Sequence, residues 1–351
     1  MRLISMLLLL LSGSGLAWAG EAPCTPEGDV QFICGAHEAE DLVLVPGTRW
    51  IIASGGGEGT NFYLIDSVSR AWRALPFSVS QGSSSSRCPG PPTPANLQTH
   101  GLHIRVGGPG RAMLHVVGHG AREAIEAFEV DTSGAAPVLK WTGCIPLPQG
   151  MAGNSVVALA DGTVLTTVLF LPGTTFADAM NGKPTGVVLE RRPGAAQFEV
   201  VRGTELAANN GLEVSPDGRE LYVVSSGLRT IVAFTRTNPA KQLRSTRTLP
   251  FTPDNVHLGP DGLLYTAGMA SDVPECGGVP GPQHDLQKLA ACPRGSIAMA
   301  IDRGTLKDTI VLQTPALRTF SNVTLVLPVG TEAWLGTFSG DRIAIGKLRR
   351  R

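Results

Sequence analysis

The stretch that decides the fold is Glu205 to Ser225, which reads E-L-A-A-N-N-G-L-E-V-S-P-D-G-R-E-L-Y-V-V-S. It contains two short apolar runs, one with Leu212 and Val214 and one from Leu221 to Val224, and the turn Pro216-Asp217-Gly218 lies between them. Proline presets the backbone for a turn and glycine accepts a positive φ. The segment therefore predicts a β-hairpin.

The same hairpin recurs along the chain. Residues 254–268 repeat it as D-N-V-H-L-G-P-D-G-L-L-Y-T-A-G, residues 154–167 repeat it as N-S-V-V-A-L-A-D-G-T-V-L-T-T, and three looser copies complete a set of six. The lead residues of the copies are Asp41, His100, Asn154, Asn210, Asn255 and Asn322. Repeats of about 40–50 residues or slightly more, each able to hold four strands, are typical of propeller blades. The sequence thus predicts an all-β chain folded as a six-bladed β-propeller, with the first blade closed by the chain's two ends.

Polar side chains lead the innermost strands, and in a propeller these strands run along the central channel. The residues at these positions are Glu40, Asp41, His100, Asn154, Asn210, Asp254 and Asn255. Asn and Asp often cap turns at strand entrances, but their recurrence at one position in several blades favours a shared site. Buried carboxylates and amides without partners cost several kcal/mol. A hard cation with oxygen ligands satisfies them, and carboxylates with amide carbonyls are a calcium-type set.

The N-terminus resembles a secretion signal. Arg2 supplies the positive charge, Leu7 to Leu11 the apolar core, and Ala17-Trp18-Ala19 a small-x-small cleavage site. We therefore expect a signal peptide over residues 1–19, a single propeller domain over residues 20–351, and a secreted or periplasmic protein. No later run approaches about 20 apolar residues, so no transmembrane anchor is expected.

The formal net charge is zero, which gives no indication of nucleic acid as a partner. A monomer is expected.

Six cysteines in an exported chain indicate disulfides, although six allow 15 connectivities. The nearest sequential pairing is Cys24–Cys34, Cys88–Cys144 and Cys276–Cys292, and the last of these would restrain an irregular insertion. A zinc site is the poorer interpretation, because the chain contains no C-x-x-C motif.

Two histidines belong to the second copy. His100 leads its first strand and His119 follows its second, and with the turn near Pro109-Gly110 both fall at the same open end of the hairpin. A single histidine is more often structural, but this pair beside a candidate metal is a hypothesis for proton transfer. The remaining histidines are assigned structural or surface roles: His37, His103, His115, His257 and His284.

The successive motifs resemble the paraoxonase/arylesterase family and, more broadly, the calcium-dependent six-bladed propellers that include gluconolactonases and the senescence marker protein. They are Glu-Asp-Leu at 40–42, His-Gly-Leu at 100–102, Asn154 before a Val-rich strand, Ala-Asn-Gly-Leu with one extra Asn at 208–212, and Asp-Asn-Val at 254–256. The resemblance covers roughly residues 36 to 349.

The resemblance implies a catalytic calcium at the bottom of the channel, with ligands Glu40, Asn154, Asn210, Asp254 and Asn255. It implies that Asp41 binds a second, structural calcium, with carbonyl oxygens from Leu42 and Leu102. The family has an Asp directly after the Asn of the third blade, where this chain has Ser155, and this departure weakens the prediction of a second ion. The family's bridge between the chain's ends is also missing, so closure must depend on strand pairing or on a different bridge.

The implied activity is hydrolysis of a lactone or an aryl ester, with calcium polarising the carbonyl group. In the family pattern His100 and His119 form the proton-transfer pair, and Glu40 is the rival base. No G-x-S-x-G elbow is present, which argues against a serine nucleophile. Two alternatives stay open: a non-hydrolytic propeller similar to strictosidine synthase-like proteins, and a binding or scaffold propeller whose central ion is only structural.

Overall fold

The computed structural model describes residues 24–56, 60–79 and 88–349. Within these ranges the chain forms six β-sheets of four or five strands, which are the six blades of a β-propeller. The fold class predicted from the sequence is confirmed. The predicted signal peptide lies outside the described residues. Among the described residues, no helix is long and apolar enough to cross a membrane.

The first strand, β1, is Gln31–Cys34 and precedes the first blade. The strands of blades 1 to 3 follow in chain order. Blade 1 contains β2 (Leu42–Leu44), β3 (Trp50–Ser54), β4 (Phe62–Asp66) and β5 (Trp72–Ala74). Blade 2 contains β6 (Phe77–Val79), β7 (Leu97–Gly108), β8 (Arg111–Gly120), β9 (Ala124–Asp131) and β10 (Val138–Pro146), with a 3-10 turn at Pro94–Asn96. Blade 3 contains β11 (Gly153–Ala158), β12 (Val164–Val168), β13 (Gly186–Arg191) and β14 (Glu199–Leu206), with helix α1 (Phe176–Met180) between its second and third strands.

Blades 4 to 6 complete the ring. Blade 4 contains β15 (Asn209–Val214), β16 (Glu220–Ser225), β17 (Thr230–Thr235) and β18 (Gln242–Ser245). Blade 5 contains β19 (Phe251–Leu258), β20 (Leu264–Ala270), β21 (Ser296–Ile301) and β22 (Asp308–Gln313), with a 3-10 turn at Pro274–Cys276 and helix α2 (Leu286–Ala291) inserted after its second strand. Blade 6 contains β23 (Val323–Val329), β24 (Glu332–Thr337) and β25 (Arg342–Lys347).

The innermost strands of the blades form a closed circle. Each one contacts the innermost strand of the next blade, in the order β2, β7, β11, β15, β19 and β23, and β23 contacts β2 again. Apolar side chains fill the spaces between blades, for example Tyr222 and Val224 of blade 4 against Phe251 and Val256 of blade 5. This circle brings residues from the whole length of the chain to one channel.

The Pro-Asp-Gly hairpin forms as predicted. Strands β15 and β16 pair antiparallel, with Leu212 opposite Val223 and Val214 opposite Leu221. In the turn between them, Gly218 has a φ of 70° and its N–H donates to the carbonyl of Ser215 at 2.8 Å. Glycine adopts this left-handed conformation without a steric penalty.

The propeller closes in blade 6, so the expectation that the chain's ends would close the first blade is wrong. Strand β1 is the outermost strand of blade 6 and pairs antiparallel with β25, with Phe32 opposite Ala344. Blade 1 needs no strand from the C-terminus, because β2 to β5 supply all four of its strands in order. Closure therefore depends on strand pairing between the two ends.

All six cysteines form disulfides, in the nearest sequential pairing. The bridges are Cys24–Cys34, Cys88–Cys144 and Cys276–Cys292. None of them joins the two ends of the chain. Three disulfides indicate that the protein folds in an oxidising environment.

Candidate functional site in the central channel

Five residues predicted as calcium ligands meet at one end of the channel. Glu40, Asn154, Asn210 and Asp254 line a single cavity of about 330 Å³. Asn255 joins them because its Nδ2 donates to Glu40 Oε1 at 2.6 Å, across 215 positions of sequence. The structure thus brings together this part of the predicted site.

Irregular strand pairing explains why these side chains point into the channel. In the inner hairpins of blades 2 to 5, the register shifts at the lead residue, within residues 99–102, 153–156, 209–212 and 253–256. A bulge of this kind bends the strand and changes the direction of a side chain. Glycine follows two of the lead residues because the neighbouring strands lie too close for a side chain. A Cβ at Gly101 would lie 2.4 Å from the Asn154 carbonyl oxygen, and one at Gly211 would lie 2.6 Å from that of Asp254.

Blade 6 departs from the predicted pattern. Its register shift lies between Val323 and Leu325, so the residue at the irregularity is Thr324 and the predicted lead residue, Asn322, precedes it by two positions. The Thr324 hydroxyl donates to the Glu40 carbonyl at 2.5 Å. The Asn322 amide instead donates to the Ala290 carbonyl, on the insertion that carries α2.

Several oxygens at the floor of this cavity have no hydrogen-bond partner. They are Glu40 Oε2, Asn154 Oδ1, Asn210 Oδ1 and Asn255 Oδ1, and all four are buried. An unsatisfied buried polar group costs about 1–3 kcal/mol, so four in one place indicate a missing partner. The only partner that suits four acceptor oxygens is a donor or a cation.

The two carboxyl groups at the floor are held in an environment that disfavours negative charge. Burial raises the pKa of Glu40 well above its usual range, and the charges of Asp41 and Asp254 raise it further. Burial also raises the pKa of Asp254 to about 7, although a hydrogen bond from Asn210 opposes the shift. A bound cation would relieve both effects. Among the described residues no group of three or more His, Cys, Asp and Glu side chains is arranged to hold a metal, so a cation here would depend on the three asparagine amides.

The predicted histidine pair forms beside this floor. The rings of His100 and His119 lie edge to face, with centroids 5.4 Å apart. His100 lines the cavity, and its Nε2 lies 3.6 Å from Glu40 Oε1 and 3.2 Å from Asn154 Nδ2. Burial and the neighbouring His119 lower the pKa of His100 to about 4. His119 Nδ1 lies 2.7 Å from Glu123 Oε2, so a hydrogen-bonding partner orients the outer ring.

Asp41 lies in the same channel, but its carboxylate is already engaged. His257 Nε2 donates to Asp41 Oδ1 at 2.7 Å, and the backbone N–H groups of Leu42 and Leu102 donate to Oδ1 and Oδ2. Burial opposes protonation of His257, but the Asp41 charge and hydrogen bond, together with the Glu213 charge, raise its pKa to about 9. Sequence reasoning assigned His257 no role in the site. The available signal was its position on the inner strand of blade 5, two residues after Asn255.

Apolar side chains form the walls of the cavity. They are Leu169, Phe170, Phe176, Met180, Met269, Leu286, Leu289 and Phe338. Two of the wall segments are the helices α1 and α2, which are capped by the side chains of Thr175 and Asp285. The Cys276–Cys292 bridge encloses the insertion that carries α2. A polar floor under apolar walls suits a ligand with one polar reacting group and an apolar remainder.

The buried Arg294 fixes the base of this insertion. It is 2% exposed, and its guanidinium donates to the carbonyls of Cys276, Gly278 and Ser271. The loop around α2 is therefore held by a disulfide and by a buried cation.

No protein-family model matches the chain, and no curated protein matches it in sequence. Solved structures do match. The chain is similar to a luciferin-regenerating enzyme, with 13% identity and a TM-score of 0.56 over 91% of this chain and 95% of that chain. It is similar to a protein assigned as a gluconolactonase, with 15% identity and a TM-score of 0.53 over 93% and 96% of the two chains. It is also similar to virginiamycin B lyase from Staphylococcus aureus, with 11% identity and a TM-score of 0.52 over 91% and 99%.

The fold is shared. Identities at this level establish nothing finer than the fold. The architecture agrees with the broad resemblance to gluconolactonase-type propellers, and the chemistry has to be argued from the channel itself.

Proposed function

We propose that this chain is an exported, calcium-dependent hydrolase of apolar lactones or aryl esters, a paraoxonase-like propeller that acts as a monomer. The observation that carries the proposal is the group of four buried, unpartnered oxygens at the floor of an apolar cavity, with His100 beside them. Export agrees with the three disulfides and with the N-terminal sequence.

The donor set fits a calcium ion. Glu40 and Asp254 would bring negative charge, and the amide oxygens of Asn154, Asn210 and Asn255 would complete five protein ligands. Calcium takes 6–8 oxygen ligands, so positions would stay open for water and substrate. Bound there, the ion would supply Lewis-acid polarisation of the substrate carbonyl and would stabilise the negative charge that develops on its oxygen.

His100 is the proposed base. Its ring lines the cavity within 3.6 Å of the Glu40 carboxylate, so a water molecule that attacks the substrate carbonyl can give its proton to the imidazole. The edge-on ring of His119 orients His100, and Glu123 holds His119. The proton then passes to the departing alkoxide or phenolate, so that one water is consumed and an acid and an alcohol or phenol are formed. Glu40 is the rival base, because its Oε2 has no partner.

The apolar side chains of the cavity walls determine which substrates can bind. Phe170, Phe176 and Leu289 offer aromatic and aliphatic contact and no hydrogen bonds. An alkyl chain or an aryl leaving group can be buried there, whereas the hydroxyl groups of a sugar lactone would lose water without gaining partners. We therefore expect alkyl lactones and phenyl esters to react faster than gluconolactone.

The test is a hydrolysis screen on protein freed of metal with a chelator, with and without added calcium. The panel is phenyl esters, alkyl-substituted γ- and δ-lactones and gluconolactone. Chelation should abolish hydrolysis and lower the melting temperature, and calcium should restore both, because a metal that binds only the folded state stabilises it. Melting that is unaffected by the chelator would contradict the calcium site, and restored melting without any hydrolysis would indicate a structural ion.

Three variants assign roles within the site. Asn210→Ala should raise the calcium dissociation constant roughly 10- to 100-fold. Asn61→Ala is the matched control, because Asn61 is a buried asparagine directly before β4 of blade 1, and its amide donates to the Pro94 carbonyl of blade 2. His100→Gln should lower the turnover rate roughly 10²–10⁴-fold with little change in calcium affinity, whereas Glu40→Gln should lower both. Near wild-type turnover of His100→Gln would transfer the role of base to Glu40.

A further inference from the structure

We infer that His257 occupies the position of a second channel cation, so that this propeller holds at most one metal ion. The resemblance implies a structural calcium bound by Asp41 and by the carbonyl oxygens of Leu42 and Leu102. The contacts around Asp41 do not fit that ion.

The groups that face Asp41 are donors. Leu42 and Leu102 present their backbone N–H groups to the carboxylate, at 2.9 and 2.7 Å, where a cation site requires oxygens. His257 Nε2 adds a third donor at 2.7 Å. Both oxygens of the buried Asp41 carboxylate therefore already accept from a donor. A cation that approached this carboxylate would meet the positive ends of three N–H dipoles.

Two other oxygen-bearing side chains of the channel, Ser155 and Glu213, also have partners. Ser155, which stands where the family pattern has an Asp, accepts from the Leu212 N–H at 3.2 Å. The Glu213 carboxylate accepts from the N–H groups of Val214 and Leu258, each at 2.8 Å. None of these oxygens is among the buried acceptors without a partner, in contrast to the four at the floor of the first site. The chain satisfies the second position internally and leaves the first position open.

The Asp41–His257 pair lies between the two cavities of the channel. His257 lines the cavity of about 580 Å³ at the other end of the channel, whereas Glu40, the neighbour of Asp41 in sequence, lines the cavity of the candidate site. Asp41 follows Glu40 in the chain and contacts His257. The buried Asp41–His257 contact therefore forms part of the wall between the two cavities. The cavity of the candidate site is lined instead by side chains of α1 and α2.

The test is calcium stoichiometry, measured by equilibrium dialysis of metal-free protein against calcium up to 1 mM. Wild-type protein should bind one ion per chain, and two ions would overturn the inference. Zero ions would agree with the inference but contradict the proposed function, so the two failures are distinguishable. His257→Gln keeps an N–H donor for Asp41, and its stoichiometry should stay at one ion, with an affinity within about threefold of wild type.

A variant designed to gain a second calcium ion tests whether His257 occupies a cation position. The double variant Ser155→Asp/His257→Ala adds a carboxylate and removes the occupying donor, so it should bind a second, weaker ion. The matched control is Ser155→Asp/His103→Ala, which removes another channel histidine that does not contact Asp41, and it should still bind one ion. A folded Ser155→Asp/His257→Ala protein that binds no more calcium than this control would overturn the assignment of His257 to a cation position. If the double variant does not fold, the wild-type and His257→Gln stoichiometries still decide the inference.

Discussion

The buried histidines of this chain have pKa values shifted in opposite directions, because their neighbours carry different charges. His257 faces Asp41 and is held in a form that donates to it, whereas the charge that acts on His115 is the cation Arg105. His115 is 8% exposed, its Nδ1 has no hydrogen-bond partner, and it lies opposite His103 in the pairing of β7 with β8. Burial, and then the charge of Arg105, lower the pKa of His115 to about 4.

We predict that His115 makes the fold sensitive to acid. The unfolded chain protonates this histidine near pH 6.5 and the folded chain only near pH 4, so below pH 6.5 the unfolded state binds more protons. The stability contributed by the neutral ring is complete above pH 6.5 and is lost as the pH falls to about 4, at a cost of up to about 3 kcal/mol. The free energy of unfolding in urea, measured from pH 4.5 to 7.5, should fall less steeply for His115→Gln than for wild type. Parallel curves would contradict the prediction.

The sequence predicts the residues at the floor of the cavity better than it predicts their surroundings. Glu40, Asn154, Asn210 and Asp254 could be found because they lie at, or directly before, the lead position of a repeated hairpin. Asn322 could not be placed correctly, because the irregularity of blade 6 lies two residues after it, at Thr324, and leaves no mark in the sequence. The role of His257 depends on a partner 216 positions away, and periodicity gives no information about such a contact.

At the scale of elements, the two short helices add side chains to the cavity that the repeated hairpins do not supply. Both α1 and α2 are insertions between the second and third strands of their blades, and both contribute apolar side chains to the cavity. The hairpin repeats predict the blades, but an irregular insertion carries no such periodicity. Only the three-dimensional arrangement shows that side chains of these insertions line the cavity.

We predict that the Cys276–Cys292 bridge affects substrate binding more than turnover, provided that the proposed hydrolysis is correct. Without the bridge, the α2 insertion should sample positions in which Leu286 and Leu289 leave the cavity. The loss of about 1 kcal/mol of apolar contact corresponds to a roughly fivefold higher KM for a phenyl ester. The variant is Cys276→Ser/Cys292→Ser. Cys24→Ser/Cys34→Ser is the matched control, which should lower the melting temperature without changing KM. An equal rise of KM in both variants would show that the effect is not local to α2.

At the scale of the whole molecule, the six-bladed fold follows from the repeat, whereas the point of closure does not. The described residues form the ring of blades that the hairpin spacing predicts, and the single domain over residues 20–351 stays a prediction. The strand Gln31–Cys34 precedes the first repeat and lacks its turn motif, so its sequence gives no indication of which blade it joins. Its partner is decided by the ring, because blade 6 has only three strands of its own.

We predict that β1 stabilises the entire ring. Ile33 is 4% exposed and belongs to one apolar cluster with Trp334 and Ile343 of blade 6 and Ile51 of blade 1, so it joins the last blade to the first. Ile33→Ala should cost about 2–5 kcal/mol and leave a cavity. At roughly 2 °C per kcal/mol for a chain of this size, the melting temperature should fall by about 4–10 °C.

Val200→Ala, on the outermost strand of blade 3 and 38% exposed, is the matched control and should change stability by less than about 0.5 kcal/mol. Because β1 supplies the fourth strand of blade 6, the loss should appear as one cooperative transition, both in far-ultraviolet circular dichroism and in tryptophan fluorescence. If β1 only frayed, the local strand would be lost while the main transition stayed at the wild-type temperature, and that result would contradict closure by β1.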